Sequence, residues 1–561
     1  MSTGSKTTED SHPHDHARIL GEPLQVQPPI PTSPPTSDLE NQHELDEQDE
    51  RDPLLNNHNH QYLDPDDPKV SPLNLRQVQI LKLIINVFLV INVLLMILIL
   101  VSDLFITIPG FYSLGQSSFT IDLILVSILS NWITHSWFAV PVYFERVLGY
   151  IITGLLGFDF LIMIVLDKLR SRWGYFGLSV MIWTIINFFV NAYFNYLTEN
   201  YKQYQEIRYT GRIENRKTLW EMIIIVIKST FKILIFLLVW NLSVTLSISA
   251  FDSFENPWGE LINVNDDQVQ LHLSCYGDVE NSNSSSQPIV LVNHGQLTSS
   301  EEFQEWIEEL YHLHKVERYC IWDRPGYGFS SSSPSPSSMG IINDYLMEAL
   351  DKQGIEGPYA LVGFDIGGLY SRIFASRNHD KIHSILFVDS WHEDLLKKYP
   401  YSGINRRTEK SNIFNHILEL MSNREGFKLW IQNILSPLGL ISNFHLILHP
   451  FKYGSSNNRI YGRDMYYQPI YLRARLQEQI TSSILSYNEV KVCDLKDIPI
   501  GTITSDGMIK NSLNWGKWQR EISSLSSKSM EWVIAENSSH FIWENERGRE
   551  QLQELLIRLI E

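Results

Sequence analysis

A block of membrane-spanning helices followed by a mostly parallel α/β sheet, covered by helices on both faces, is the fold class this sequence predicts. Three observations predict it. Several apolar runs of bilayer-crossing length crowd between residues 77 and 252. From residue 260 onward, short apolar strands alternate with helical stretches, which is how a parallel sheet layered by helices reads. That alternation stops between about residues 391 and 495, where a helical insertion of the kind that caps such a sheet takes its place.

The chain has 561 residues and a formal net charge of -19, much of it in the first seventy or so positions. No basic footprint exists, so nucleic acid is excluded as a partner. Neither a phosphate-cradling glycine loop nor a metal-spaced cluster occurs, so no cofactor or metal is expected. Cys275, Cys320 and Cys493 are too few for a disulfide framework. Cys320 sits in an apolar strand and reads as a buried small hydrophobe, leaving the compartment unreadable from cysteine.

Residues 1–76 are acidic and rich in Pro, Ser, Asn and His, with few aromatics. Such a tail cannot bury enough apolar surface to offset its ordering entropy and should be disordered. His12, His14, His16, His58 and His60 read as solvated rather than metal-binding. Glu50, Leu54 and Leu55 form an acidic dileucine pattern. It resembles endosomal and vacuolar sorting signals and would engage a sorting adaptor if the tail is cytosolic, which points to an intracellular endomembrane. No basic segment leads into an apolar one at the start, so no cleavable signal is expected.

The spans follow at Ile80–Val101, Ile121–Val140, Gly149–Leu166 and Phe176–Tyr196, with a fifth ending near Ala250. A helix satisfies its own backbone in lipid, which makes the bilayer the partner of this region. Trp132, Trp137, Tyr143, Trp173 and Tyr175 suit an aromatic belt. Lys202, Arg208, Arg212, Arg216 and Lys217 fill the loop before the last span, and Lys228 and Lys232 extend that basic side if the span starts late. The positive-inside rule then puts the tail and this loop in the cytosol and the C-terminal domain across the membrane. Lys168, Arg170 and Arg172 fall on the wrong side of that scheme. Asn283 and Asn537 begin acceptor sequons that agree with a lumenal domain.

In the α/β region, strands are expected at Val269–Tyr276, Pro288–Val292, Arg318–Trp322, from Tyr359, at His383–Val388, Ile498–Thr504 and Met530–Ala535. Four landmarks occur in order: Asn293-His294-Gly295-Gln296, Asp323-Arg-Pro-Gly-Tyr-Gly328, Gly363-Phe-Asp-Ile-Gly-Gly368 and Ser539-His540. On these the chain over residues 260–561 resembles an α/β-hydrolase domain. Arg208-Tyr-Thr-Gly-Arg-Ile-Glu-Asn-Arg-Lys-Thr-Leu-Trp220 resembles the membrane half of a fungal integral-membrane family of uncharacterised function fused to such a domain. That match implies an architecture and names no reaction.

Gly363–Gly368 outlines the tight strand-to-helix turn that presents a nucleophile, with Asp365 where serine is usual. The fold brings nucleophile, acid and histidine in that order, so His540 is the expected base and Asp389 or Asp506 the acid, Asp389 slightly favoured. Backbone N–H groups of Gln296 and Ile366 should form the oxyanion hole, while His294 braces its loop. A carboxylate nucleophile suits attack on an sp³ carbon, because attack on an ordinary ester would give a high-energy anhydride. This resembles epoxide hydrolases and haloalkane dehalogenases. The resemblance implies that cap tyrosines polarise the substrate oxygen, and Tyr466 and Tyr467 are the candidates, with Tyr461 and Tyr471 nearby. Two departures stand out: Ile366 replaces the Trp that holds a departing halide, and Leu297 stands where epoxide hydrolases carry Pro. The expectation is a membrane-anchored hydrolase of a lipophilic small molecule, by epoxide-type or else ester or lipid hydrolysis. The alternative is an inactive hydrolase-like module that binds lipid or protein.

Overall fold

The structure is a computed structural model. It describes residue 63 and residues 68–561, except 105, 107, 109–116, 214–216, 281–285, 399–420, 422–423, 450–453, 482–484 and 496. The dileucine Glu50, Leu54 and Leu55 and the tail histidines lie outside the described residues.

Among the described residues, five helices are long and apolar enough to cross a membrane: α1 (Arg76–Leu104), α2 (Ser117–Ser136), α3 (Tyr143–Val165), α4 (Asp167–Thr210) and α5 (Leu219–Asp252). A capping box starts α5, with the Thr218 hydroxyl accepting from the Glu221 N–H and Glu221 reaching back to the Thr218 N–H. Gly174 breaks α4 at φ 61°, where only a glycine turns without strain, and sets the basic stretch Asp167–Trp173 at an angle to the rest. Lipid supplies no hydrophobic drive between helices, so polar side chains help join them. Asn187 Oδ1 accepts from Asn92 (2.9 Å) and Asn131 (2.8 Å), and Asn191 donates to Asn131 Oδ1 at 2.6 Å. Lys228 and Lys232 do not extend the basic loop as expected. Both are buried inside the bundle, Lys228 against Glu145 at 2.8 Å and Lys232 donating to Ser130 at 3.0 Å. A buried charge is retained there because it has found a partner.

The second half is one eight-stranded sheet: β1 (Glu260–Val264), β2 (Val269–Tyr276), β3 (Ile289–Asn293), β4 (Tyr319–Asp323), β5 (Tyr359–Phe364), β6 (Ile382–Val388), β7 (Ile500–Ser505) and β8 (Ser529–Ala535). Their spatial order is β1-β2-β4-β3-β5-β6-β7-β8, with β1, β2 and β4 paired antiparallel and the rest parallel. Every residue of β3, β4 and β5 is buried, which is why they read as continuous apolar runs. Helices α7 (Met339–Lys352) and α8 (Gly367–Arg377) pack on one face through Leu346, Leu350, Leu369 and Phe374. Helix α6 (Ser300–His312) and the C-terminal helix Glu546–Ile560 cover the other through Phe303, Trp306, Leu552 and Leu556.

Cys275 and Cys320 face each other in the β2–β4 register and are disulfide-bonded, with Cα atoms 4.1 Å apart. This corrects the reading of Cys320 as a plain core hydrophobe. The antiparallel pairing of β2 with β4 brings the two together, and strand spacing alone does not announce it.

The described part of the insertion is helical and rests on the membrane helices. Arg473, on the helix Pro469–Thr481, bonds Asp103 Oδ1 at 2.5 Å, with both side chains buried. Leu438 packs into the core of the spans, and Asn433 Oδ1 accepts from Ser118 at 3.3 Å.

Candidate active site

Three loops at the carboxyl ends of parallel strands in one half of the sheet bring the site's acids and histidine together. Asp365 follows β5, Asp389 follows β6, and His540 follows β8. The crevice beyond the carboxyl ends of parallel strands is where such sheets place ligands. Asp365 and Asp389 both have positive φ, 54° and 41°. Such backbone in a non-glycine residue costs about 1–3 kcal/mol and persists only where the surroundings impose it. At Asp365 they do: a Cβ on Gly367 would run into the Asn293 carbonyl, and one on Gly368 into Ser390.

The His540 imidazole lies between two carboxylates. Its Nδ1 is 2.7 Å from Asp389 Oδ2 and its Nε2 is 3.5 Å from Asp365 Oδ1. Asp389 is fully buried and accepts three further hydrogen bonds, from the Ser505 hydroxyl (2.8 Å), the Ser505 N–H (3.3 Å) and Trp515 Nε1 (2.6 Å). Those donors fix its orientation and aim Oδ2 at His540. Burial pulls the imidazole toward neutrality, but the hydrogen bonds and charges of Asp365 and Asp389 outweigh it and push it up to about 10. Asp506 is placed elsewhere: its half-buried carboxylate takes Lys510 at 2.6 Å and the Ser538 N–H at 3.1 Å. Lys510 holds Asp506 below the usual carboxylate range.

Gln296 donates its backbone N–H to Asp365 Oδ2 at 2.9 Å. Ile366 begins the turn into α8, and its side chain is buried in the core. His294 braces the Gln296 loop. Its Nδ1 lies 2.8 Å from the Gly295 carbonyl and 3.0 Å from that of Thr298, and its Nε2 accepts from the Arg324 N–H. Burial and the neighbouring Arg324 push it down to about 3, so it is neutral.

The cap closes over this loop. Tyr466 donates to the Leu297 carbonyl at 2.7 Å and Tyr471 to the Gln296 carbonyl at 2.8 Å. Tyr467 packs its ring against His445 within the cap instead. Sequence reasoning missed Glu478, on the same cap helix as Tyr471. Its buried carboxylate takes Tyr327 (3.0 Å), Tyr370 (3.2 Å), Arg324 (3.3 Å) and the Gln296 side chain (3.1 Å). Burial first, and then Glu478, push the Tyr327 and Tyr370 phenols well up. A single glutamate in a polar run, Arg473-Ala-Arg-Leu-Gln-Glu478, carries no local signal of such a role. Arg324, in the Asp-Arg-Pro-Gly motif, was the one accessible hint of a buried counter-charge.

Residues 43–275 match a family described as a region of unknown function (DUF2417), and residues 288–419 match the alpha/beta hydrolase fold. An uncharacterized vacuolar membrane protein of Saccharomyces cerevisiae is 31% identical, the alignment covering 85% of this chain and 86% of the relative. An uncharacterized protein of Schizosaccharomyces pombe is 27% identical, covering 81% and 84%. A thermophilic esterase from Thermogutta terrifontis aligns at a TM-score of 0.36 and 16% identity over 54% of this chain and 100% of its own, a likeness too slight to argue from. The chain is a multi-pass membrane protein of an intracellular endomembrane. It belongs to the fungal family of these uncharacterised vacuolar membrane proteins, in which a membrane region of unknown function is joined to an α/β-hydrolase domain.

Proposed function

We propose that the chain is a membrane-anchored hydrolase that opens a lipophilic epoxide-type substrate, with Asp365 as nucleophile, His540 as base and Asp389 as its orienting acid. The observation that carries this is His540 held between the two carboxylates, with the Gln296 N–H already on Asp365.

In the first step an Asp365 oxygen attacks a ring carbon and the C–O bond breaks. Its electron pair goes to the oxygen, which takes a proton from a cap phenol, Tyr466 or Tyr471; the phenolate is reprotonated from solvent. Ester formation removes the Asp365 charge that holds the His540 proton, so the imidazole falls toward its ordinary range, releases that proton to solvent and becomes a base. It then takes a proton from water attacking the ester carbonyl. The carboxyl oxygen carries the developing charge against the Gln296 and Ile366 N–H groups. Collapse breaks the ester C–O bond, the released alkoxide takes the proton from His540 to complete a diol, and the Asp365 carboxyl then passes its remaining proton to His540, restoring the starting pair.

The cap supports a lipophilic substrate. Phe427, Ile431, Leu435, Phe444 and Ile447 are exposed on it, in continuity with Leu438, which sits in the core of the spans. Replacing His540 by Gln should leave attack possible and block water activation. Across a panel of lipophilic epoxides and esters, intact mass should then show one substrate mass added at Asp365, with wild-type turnover of the same compound. No adduct and no turnover would shift the reading to a non-catalytic binding module, which Ile366 and Leu297 favour.

A further inference from the structure

A cavity of about 720 Å³ lies away from Asp365, where α2, α4 and α5 end against the hydrolase domain and its cap. It accounts for the basic residues that break the positive-inside pattern. Lys168, Arg170 and Arg172 all line it, on the short stretch ahead of the Gly174 break. Arg170 is exposed and paired with Asp167, and Lys168 donates to the Glu255 carbonyl at 3.2 Å. Arg172 is different. Among the described residues it has no hydrogen bond, and Asp252, the acid acting on it, is occupied by Arg459 Nε at 2.9 and 3.1 Å.

Two more groups in the same cavity are unsatisfied. Trp173 is 1% exposed, and its indole N–H has no partner; the buried Thr245 hydroxyl has none either. A buried donor without an acceptor is costly, so these two, beside a half-buried Arg172 that has no hydrogen bond, point to an acceptor-rich occupant. The walls supply the rest. Phe119, Leu246, Phe329 and Ile470 are apolar, and Tyr175, just after the Gly174 break, lines the cavity and is exposed. Aromatic residues at span ends mark the headgroup level of a bilayer.

We propose that this cavity binds a phosphate anion carried on an amphiphile: the headgroup of an anionic phospholipid, its phosphate on Arg172 and the Trp173 and Thr245 donors, its chains along α4 and α5. The same cavity is lined by Phe329, next to the Asp323-Arg-Pro-Gly loop, and by Ile470 of the cap helix that carries Glu478. A bound headgroup would therefore fasten spans, sheet and cap together.

The test uses the full-length protein in a neutral detergent, with short-chain phosphatidylserine, short-chain phosphatidylcholine and inorganic phosphate as probes. Phosphatidylserine should bind more tightly than phosphatidylcholine. Arg172→Gln should weaken it by roughly ten-fold or more, the scale of a lost charge-assisted hydrogen bond. Arg172→Lys should keep part of the binding, and Arg547→Gln, an exposed change outside the cavity lining, should leave it unchanged. Inorganic phosphate that displaces the lipid assigns the site to a soluble phosphate, and phosphate that fails to do so assigns it to the lipid; both uphold the anion site. Equal binding by wild type and Arg172→Gln, or equal loss in Arg547→Gln and Arg172→Gln, overturns it. If Arg172→Gln does not elute as a folded species, Ser249→Phe, which fills the cavity from α5, takes its place, and undiminished lipid binding there also overturns the proposal.

Discussion

Removing the charge of Asp365 should return His540 toward an ordinary histidine, and Asp365→Asn makes that change with little loss of volume. Two unit charges 3.5 Å apart attract by about 4–5 kcal/mol at an effective dielectric of about 20. That corresponds to roughly three pKa units. The His540 side chain is 21% exposed, so solvent screens part of this, and the expected fall from about 10 is roughly one to two units. The sign also sets a stability profile. A folded value near 10 lies above the unfolded 6.5, so the stabilisation is complete below about 6.5 and is lost as pH climbs through about 10. The variant should show a shallower loss across that window. Ring-labelled histidine followed by NMR in detergent would read the titration directly, with the His540 signal assigned by its absence in His540→Gln. A variant that titrates together with wild type would refute the reasoning, because the raised value would then owe nothing to Asp365.

Two further outcomes follow from the buried groups. Glu478→Gln leaves the buried Arg324 without its counter-charge and should destabilise the domain by about 3–5 kcal/mol in thermal unfolding. An unchanged melting temperature would mean that the cap does not depend on this network. The Cys275–Cys320 bond suits an oxidising lumen, the side to which the positive-inside count also assigns the hydrolase domain. On intact vesicles, added protease should spare that domain, and after lysis maleimide should label both cysteines only once reductant is present. Cleavage of the domain on sealed vesicles would reverse the orientation.

Much of the architecture was legible because its causes are local. Runs such as Ile80–Val101 are long and apolar enough to announce a span on their own, and β3, β4 and β5 are apolar throughout because both faces of the sheet are covered. The turn at Asp365 was legible for a similar reason, since Gly367 and Gly368 are required by close approach to Asn293 and Ser390. The pairing of Cys275 with Cys320 was not legible. It depends on β2 lying beside β4 rather than beside β3, a matter of strand order that no local pattern encodes. Lys228 and Lys232 misled for a related reason: a basic residue one turn inside a span reads as loop-facing until Glu145 and Ser130, from other helices, are seen to meet it.

What the sequence determined by itself, then, was the kind of chain: a multi-span region joined to an α/β-hydrolase domain with aspartate at its elbow. Propensity, run length and glycine geometry act over a few residues and leave their mark in order along the chain. Only the tertiary structure decided which groups share a site. It placed Asp389 and not Asp506 on His540, set Tyr471 rather than Tyr467 on the Gln296 carbonyl, and delivered Glu478 from a cap helix 182 residues beyond the loop it grips. Those contacts are fixed by how distant loops and helices converge at one end of the sheet, and electrostatics over a few ångströms responds to that convergence, not to position along the chain.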